Sequence, residues 1–202
     1  CYEHHLLVIS DEIHCDMAIF GHKHIPFATV SEKARENSIT FQAPTKTFNI
    51  AGIISSYAII PNSDIRKKLY GWVNANELDE ANIFAPIATI AAFTKGEEWR
   101  KAMLAYIEDN VRFVEDYCKK NIPQIHPLRP QASFLVWLNC RELNLDHNHL
   151  LDLFIDKAHL ALNDGEMFGQ GGEGFMRMNI AAPRSVLKQA LEQLASAVNK
   201  LK

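Results

Sequence analysis

An α/β fold is the class this 202-residue sequence predicts, and three observations carry it. Short apolar runs, bounded by polar segments or by Gly and Pro, recur in the first hundred residues as buried strands do. Stretches with helical spacing fill the intervals between them. A long amphipathic helix then leads into a second region where strands and helices mix in an α+β manner. With 48% hydrophobic and 22% charged residues and no low-complexity tract, the chain can form one large domain or two small ones.

Residues 6–10, LLVIS, form a continuous apolar run that predicts a buried strand. SEKAREN (31–37) is a short polar helix or turn. SITFQA (38–43) is a second strand, and SSYAII (55–60) a third, stopped by Pro61. From Asn62 to about Asn74, Ile65, Leu69 and Trp72 line one helical face. NIFAPIATIAAFTKG (82–96) is Ala-rich and apolar nearly all round, which predicts a buried helix. Residues 96–121 then give about seven turns with no internal Gly or Pro. Their apolar positions, from Trp99 through Ile107 and Val111 to Cys118, keep three-and-four spacing. Glutamates open this helix and lysines close it, as the helix dipole favours.

A helix of this length bridges two domains, so the boundary is placed within it near residue 100, giving domains 1–100 and 101–202. Beyond it, ASFLVWLN (132–139) is a strand and HNHLLDLFIDKAH (147–159) a helix. NDGEMFGQGGEG (163–174) is a Gly-rich loop, FMRMNIAA (175–182) a strand, and SVLKQALEQLASAVNKL (185–201) a closing helix. Trp72, Trp99 and Trp137 fall at core-like periodicities and are expected inside.

The formal net charge of −3 gives no support for a nucleic-acid or membrane partner that works by electrostatics. No apolar run reaches membrane-spanning length, and no secretion signal is read. Cys1, Cys15, Cys118 and Cys140 are scattered without a CxxC pair, so free thiols in a cytoplasmic, reducing compartment are expected. His4/His5, His22/His24 and His147/His149 come without a third ligand at fixed spacing, so no metal site is expected. The loop GQGGEG (169–174) resembles a phosphate cradle but precedes a strand rather than opening a helix. It is read as a turn beside a cleft.

Three stretches carry chemistry. VISDEIHCD (8–16) places two acids and a histidine after one strand, and APTKTFN (43–49) places a lysine after another, in a segment about to bury itself. Residues that follow parallel strands gather at the carboxyl edge of a sheet, where open α/β sheets bind ligands. In GFMRMNIAAPR (174–184), Arg177 interrupts an apolar strand. A carboxylate, an amine and a guanidinium converging on a cleft are what pyridoxal-phosphate chemistry requires. The amine links to the aldehyde and later moves protons, the carboxylate keeps the pyridine nitrogen protonated, and the planar fork takes an α-carboxylate. Taken singly, each has a plainer reading: Lys46 as a solvated loop residue, Asp11 as the cap of a helix starting at Glu12, Arg177 as an edge-strand arginine.

SDEIHCDM followed by APTKTFNIAG and a distal F-x-R-x-N strand resembles the fold-type I pyridoxal-phosphate enzymes of the aminotransferase class I/II superfamily. Within it the sequence is most similar to cystathionine β-lyase-like C–S lyases of the MalY/PatB type, across essentially the whole chain. The resemblance implies the C-terminal part of the cofactor-binding large domain, with a mostly parallel sheet, followed by a smaller α+β domain. An opening at Cys1 with LLVIS starting only at residue 6 agrees with such a C-terminal portion. It implies Asp11 at the pyridine nitrogen, His14 near the phenolic oxygen, Lys46 as the lysine that carries the cofactor, and Arg177 at the substrate carboxylate. Thr45 supplies one hydroxyl toward the phosphate. Two positions depart from many relatives: Ala43 replaces a hydroxyl three residues before the lysine, and Ile54 replaces an arginine eight residues after it. Both read as character of the lyase subgroup.

The implied reaction is α,β-elimination from cystathionine or cysteine S-conjugates, in a homodimer that uses pyridoxal 5'-phosphate. An aminotransferase with the same residues is the first alternative. A non-catalytic cofactor-binding or dimerisation module is the second.

Overall fold

The computed structural model describes residues 1–80 and 82–201. The chain divides into two compact units, Cys1–Leu104 and Ala105 onward, with the division inside the long helix. None of the described helices is long and apolar enough to cross a membrane.

The first unit is built on a three-stranded sheet of β1 (Val8–Asp11), β2 (Ser38–Gln42) and β3 (Tyr57–Ile59), in that order. β1 and β2 are parallel, with Asp11 opposite Phe41, whereas β3 pairs antiparallel to β2. The sheet is therefore mixed, where a mostly parallel one was expected. β2 is its central strand, with Ser38, Ile39 and Thr40 buried on alternate faces. Its helices start where their caps dictate. Ser31 accepts from Ala34 N at 3.1 Å and opens α1 (Glu32–Glu36), and Pro44 opens the single turn of α2 (Pro44–Thr47). Asn62 accepts from Asp64 N and Ile65 N to open α3 (Ser63–Ala75). α4 (Ala85–Lys95) ends at Gly96, where a Cβ would stand 2.5 Å from the Phe48 ring.

Three expectations fail in this unit, and one cause unites them. The LLVIS strand begins only at Val8, and Ile9 is 66% exposed. α4 buries Ala85 alone and leaves Ile87, Ile90 and Phe93 exposed, and Trp72 and Trp99 are exposed as well. Apolar content marks surface that needs covering. Composition does not say whether the cover comes from residues of the same unit.

The second unit closes its own core. Its sheet runs β4 (His126–Leu128), β5 (Leu135–Asn139), β7 (Phe175–Asn179), β6 (Asn163–Asp164), all antiparallel. Strict alternation buries Val136, Leu138, Met176 and Met178 on one face and leaves Trp137, Phe175 and Arg177 half-buried on the other. Trp137 is thus on the open face rather than in the core. Ile107, Val111, Val114 and Cys118 of α5 (Glu97–Asn121) are buried, as are Leu187, Leu191 and Leu194 of α7 (Arg184–Asn199). Fully buried Asn110 donates from Nδ2 to Ile180 O and Ala182 O and accepts from Arg184 Nε at 2.8 Å. A helix polar group thereby fixes the chain leaving β7. α6 (His147–Asp152), capped by Asp146, continues as a π-turn over Leu153–Lys157. The short strands β4 and β6 were not legible in the sequence: one contains Pro127, and the other has two residues.

Candidate active site

Parallel pairing of β1 and β2 brings their carboxyl ends to one edge of the first unit's sheet. Asp11 is the last residue of β1, and Lys46 lies four residues beyond Gln42, the last of β2. The register therefore places at one sheet edge a carboxylate and an amine that are 35 residues apart in the sequence.

Asp11 is exposed and its Oδ1 accepts from Ile13 N at 3.2 Å. That bond turns the chain locally, and no α-helix starts at Glu12. A 3-10 turn over Cys15–Met17 follows instead, with half-buried His14 just before it. The reading of Asp11 as a helix cap is replaced by this Asx turn.

Glu12 holds the segment in place and was missed as a functional residue, although it stands inside the quoted motif. Its side chain is almost fully buried and accepts from Ser10 Oγ at 3.0 Å and Phe27 N at 2.8 Å, with His24 Nε2 2.7 Å away. Burial alone would raise its pKa. The hydrogen bonds from His24, Phe27 and Ser10, with the His24 charge, outweigh that and leave it below the ordinary carboxylate value. The signal that could have found it is positional: alternation points residue 12 away from Asp11, into the interior.

Lys46 occupies the middle of α2. Pro44, Thr45 and Thr47 are buried while Lys46 is exposed, so one tight turn seats its neighbours and projects the amine outward. The sequence reading of a segment about to bury itself holds for the backbone around Lys46, not for its side chain. Phe48 N donates to Pro44 O and Ile50 N to Thr45 O, closing the turn. The Phe48 ring packs against Phe93 at 5.7 Å and Trp99 at 6.0 Å.

A cleft of 340 Å³ lies nearby, lined by Cys15, Asp16, Phe48 and Arg100 among others, but not by Asp11 or Lys46. Arg100 donates to Glu97 through its fork and to Asp16 O at 2.9 Å. Burial, then the charges of Asp16 and Glu12, push the Cys15 thiol up to about 11. It therefore stays protonated at neutral pH and is a poor nucleophile.

In the second unit, Arg177 sits on β7 between β5 and β6, so it is not an edge-strand residue. Its Nη2 donates to Asn163 Oδ1 at 3.0 Å and its Cζ lies 4.3 Å from the centre of the Phe168 ring. Its Nε is buried with no acceptor among the described residues. Asn163 and Phe168 were passed over because they lie in a stretch read only as a Gly-rich loop. Among the described residues, no three His, Cys, Asp or Glu side chains are placed to hold a metal ion.

Residues 1–194 match the family model described as aminotransferase class I and II. The chain is 38% identical over 199 residues to cystathionine beta-lyase PatB of Bacillus subtilis, covering 98% of this chain and 51% of that protein. It is 34% identical to protein MalY of Escherichia coli, again over 98% of this chain and 50% of the relative. Among solved structures, cystalysin from Treponema denticola, which contains a pyridoxal 5'-phosphate cofactor, superposes with a TM-score of 0.93 at 36% identity. That match covers 98% of this chain and 50% of cystalysin. The chain thus spans about half the length of the relatives it matches. With the family model covering nearly all of it, the chain belongs to the aminotransferase class I and II family.

Proposed function

We propose that the protein carrying this chain is a pyridoxal-phosphate-dependent C–S lyase that performs α,β-elimination on cystathionine or cysteine S-conjugates. The observation that carries this reading is the parallel register that sets Asp11 and Lys46 at one sheet edge. The residues present fit the cofactor: Asp11 is an exposed carboxylate able to face a pyridinium N–H, and Lys46 an exposed amine able to meet an aldehyde. When bound, the cofactor supplies an electron sink for the carbon bearing the substrate amine.

Each residue then has a stated task. Asp11 would hold the proton on the pyridine nitrogen. Lys46 Nζ would hold the cofactor and, once free, would accept the proton from the α-carbon. His14 would face the phenolic oxygen, and Thr45 would offer a hydroxyl to the phosphate. Arg177 takes the α-carboxylate through its planar fork. The α C–H and β C–S bonds break, water enters, and a thiol, pyruvate and ammonia leave. On this reading the first unit is the remainder of a cofactor-binding large domain and the second a small C-terminal domain. The enzyme is a cytoplasmic homodimer.

Aminotransferase activity is the second reading, favoured by the family model that matches the chain. It uses the same residues and differs after proton removal. Borohydride reduction of the whole protein loaded with pyridoxal phosphate, followed by peptide mass analysis, tests the shared step. A phosphopyridoxyl group on Lys46 is expected; an unmodified APTKTFN peptide overturns both readings and leaves a binding module. Incubation with cystathionine separates the two: thiol and pyruvate mark the lyase, amino transfer to a keto acid the aminotransferase.

A further inference from the structure

The Gly-rich stretch 163–174 is not used by the chemistry above, yet it is built to close tolerances. Gly165 and Gly172 touch backbone to backbone: a Cβ on Gly172 would stand 2.0 Å from Gly165 O, and one on Gly165 2.2 Å from Gly172 O. No other residue type fits either position without moving the chain. Arg141 pins the far side, donating from Nε to Glu173 O at 3.0 Å. His147 stands 2.9 Å from Glu166 and 3.5 Å from Asp164, holding the near side. The arch so fixed projects Phe168 over the open face of the sheet. There its ring meets Trp137 edge-on at 5.3 Å and covers the Arg177 guanidinium at 4.3 Å.

We propose that Phe168 and Asn163 are positioning residues that fix the plane and rotation of the Arg177 fork for a carboxylate ligand. The proposal rests on the assignment of Arg177 to the substrate α-carboxylate. A guanidinium on a strand can swing about its last torsions, and only an in-plane approach gives a carboxylate two parallel hydrogen bonds. The aromatic face of Phe168 sets the plane. Asn163 Oδ1 takes one Nη2 hydrogen and sets the rotation, and with Nε buried this leaves the Nη1–Nη2 edge of the fork for the ligand. A donor edge held in this way favours a carboxylate over the matching carboxamide, whose NH₂ would oppose donor with donor.

The test compares L-alanine with L-alaninamide, which lack a β leaving group, by calorimetric titration into the cofactor-loaded whole protein. Phe168→Leu and Asn163→Ala are each expected to lower the preference for alanine about fivefold, mainly by weakening alanine binding. Phe168→Tyr, which keeps the ring, should preserve the preference. Arg177→Gln should abolish it. If Arg177→Gln abolishes it while Phe168→Leu and Asn163→Ala leave it unchanged, the positioning role is overturned and Arg177 stands. If Arg177→Gln also leaves it unchanged, the assignment of Arg177 falls first. Should Phe168→Leu fail to fold, Asn163→Ala decides alone, because it removes only the bonds to Arg177 and to Met167 Sδ from an exposed position.

Discussion

The two units spend their apolar residues differently. In the second, Val111, Val114, Leu138, Leu153, Ile180, Leu191 and Leu194 are fully buried together. In the first, Ile9, Ile54, Ile87 and Ile90 stand well over half exposed, and Ile54 does so with a left-handed backbone, φ 51°. β-branched residues rarely adopt that conformation. Asp11 and Lys46, the pair proposed to carry the chemistry, belong to the unit with the open faces, whereas Arg177 rides on the closed one. One unit is organised by its own core. The other buries a smaller set, Met17, Ile19, Ile39 and Ile60 among them, and ties down the segment after β1 through Glu12.

If that contrast holds, the largest stability effect comes from the closed core. Leu191→Ala removes a fully buried side chain and should cost about 2–5 kcal/mol by denaturant unfolding, the range for cavities that relax only partly. A cost below about 1 kcal/mol would mean the second unit is loosely packed, and the distinction between the units would fail.

The next effect belongs to the first unit and depends on pH. Glu12→Gln keeps the shape but weakens the acceptor for Ser10, Phe27 and His24, and should cost about 1–3 kcal/mol at neutral pH. The folded carboxyl has a pKa below its ordinary 4.5, so its stabilisation is present above that value. It is lost as pH falls through the lower, folded value. The stability gap between the unsubstituted protein and the Glu12→Gln variant should therefore narrow in acid. A gap that stayed the same from neutral pH down to strong acid would show that the carboxylate charge is not what anchors the segment.

These two cases also show what the sequence made legible. The long helix, the β5 and β7 strands and the closing helix were read correctly because their apolar periodicity is satisfied within one unit. Asp11 and Lys46 could be assigned to strand ends because each follows an apolar run, and the parallel pairing of β1 with β2 brings those two ends to the same edge. Glu12 was not, because burial of a carboxylate depends on donors such as Phe27 N and His24 that arrive from later in the chain. Asn163 and Phe168 were hidden for a similar reason: a Gly-rich loop has no period, and its shape comes from the contact of Gly165 with Gly172. The apolar run of α4 misled, since periodicity reports that a face is apolar and not what covers it.

α4 gives the smallest expected effect and the sharpest check on the open faces. Ile90 is 63% exposed, so Ile90→Ala removes only about a third of a buried side chain's contribution, roughly 0.5–1 kcal/mol. Alanine recovers about 0.4 kcal/mol of helix propensity relative to isoleucine. The two terms nearly cancel, and in the 202-residue chain the change should lie within about 0.5 kcal/mol and be independent of protein concentration. A loss above about 1.5 kcal/mol that grew with concentration would mean the opposite: that copies of the chain cover the α4 face for each other in solution, and that the first unit takes its missing core from a neighbour.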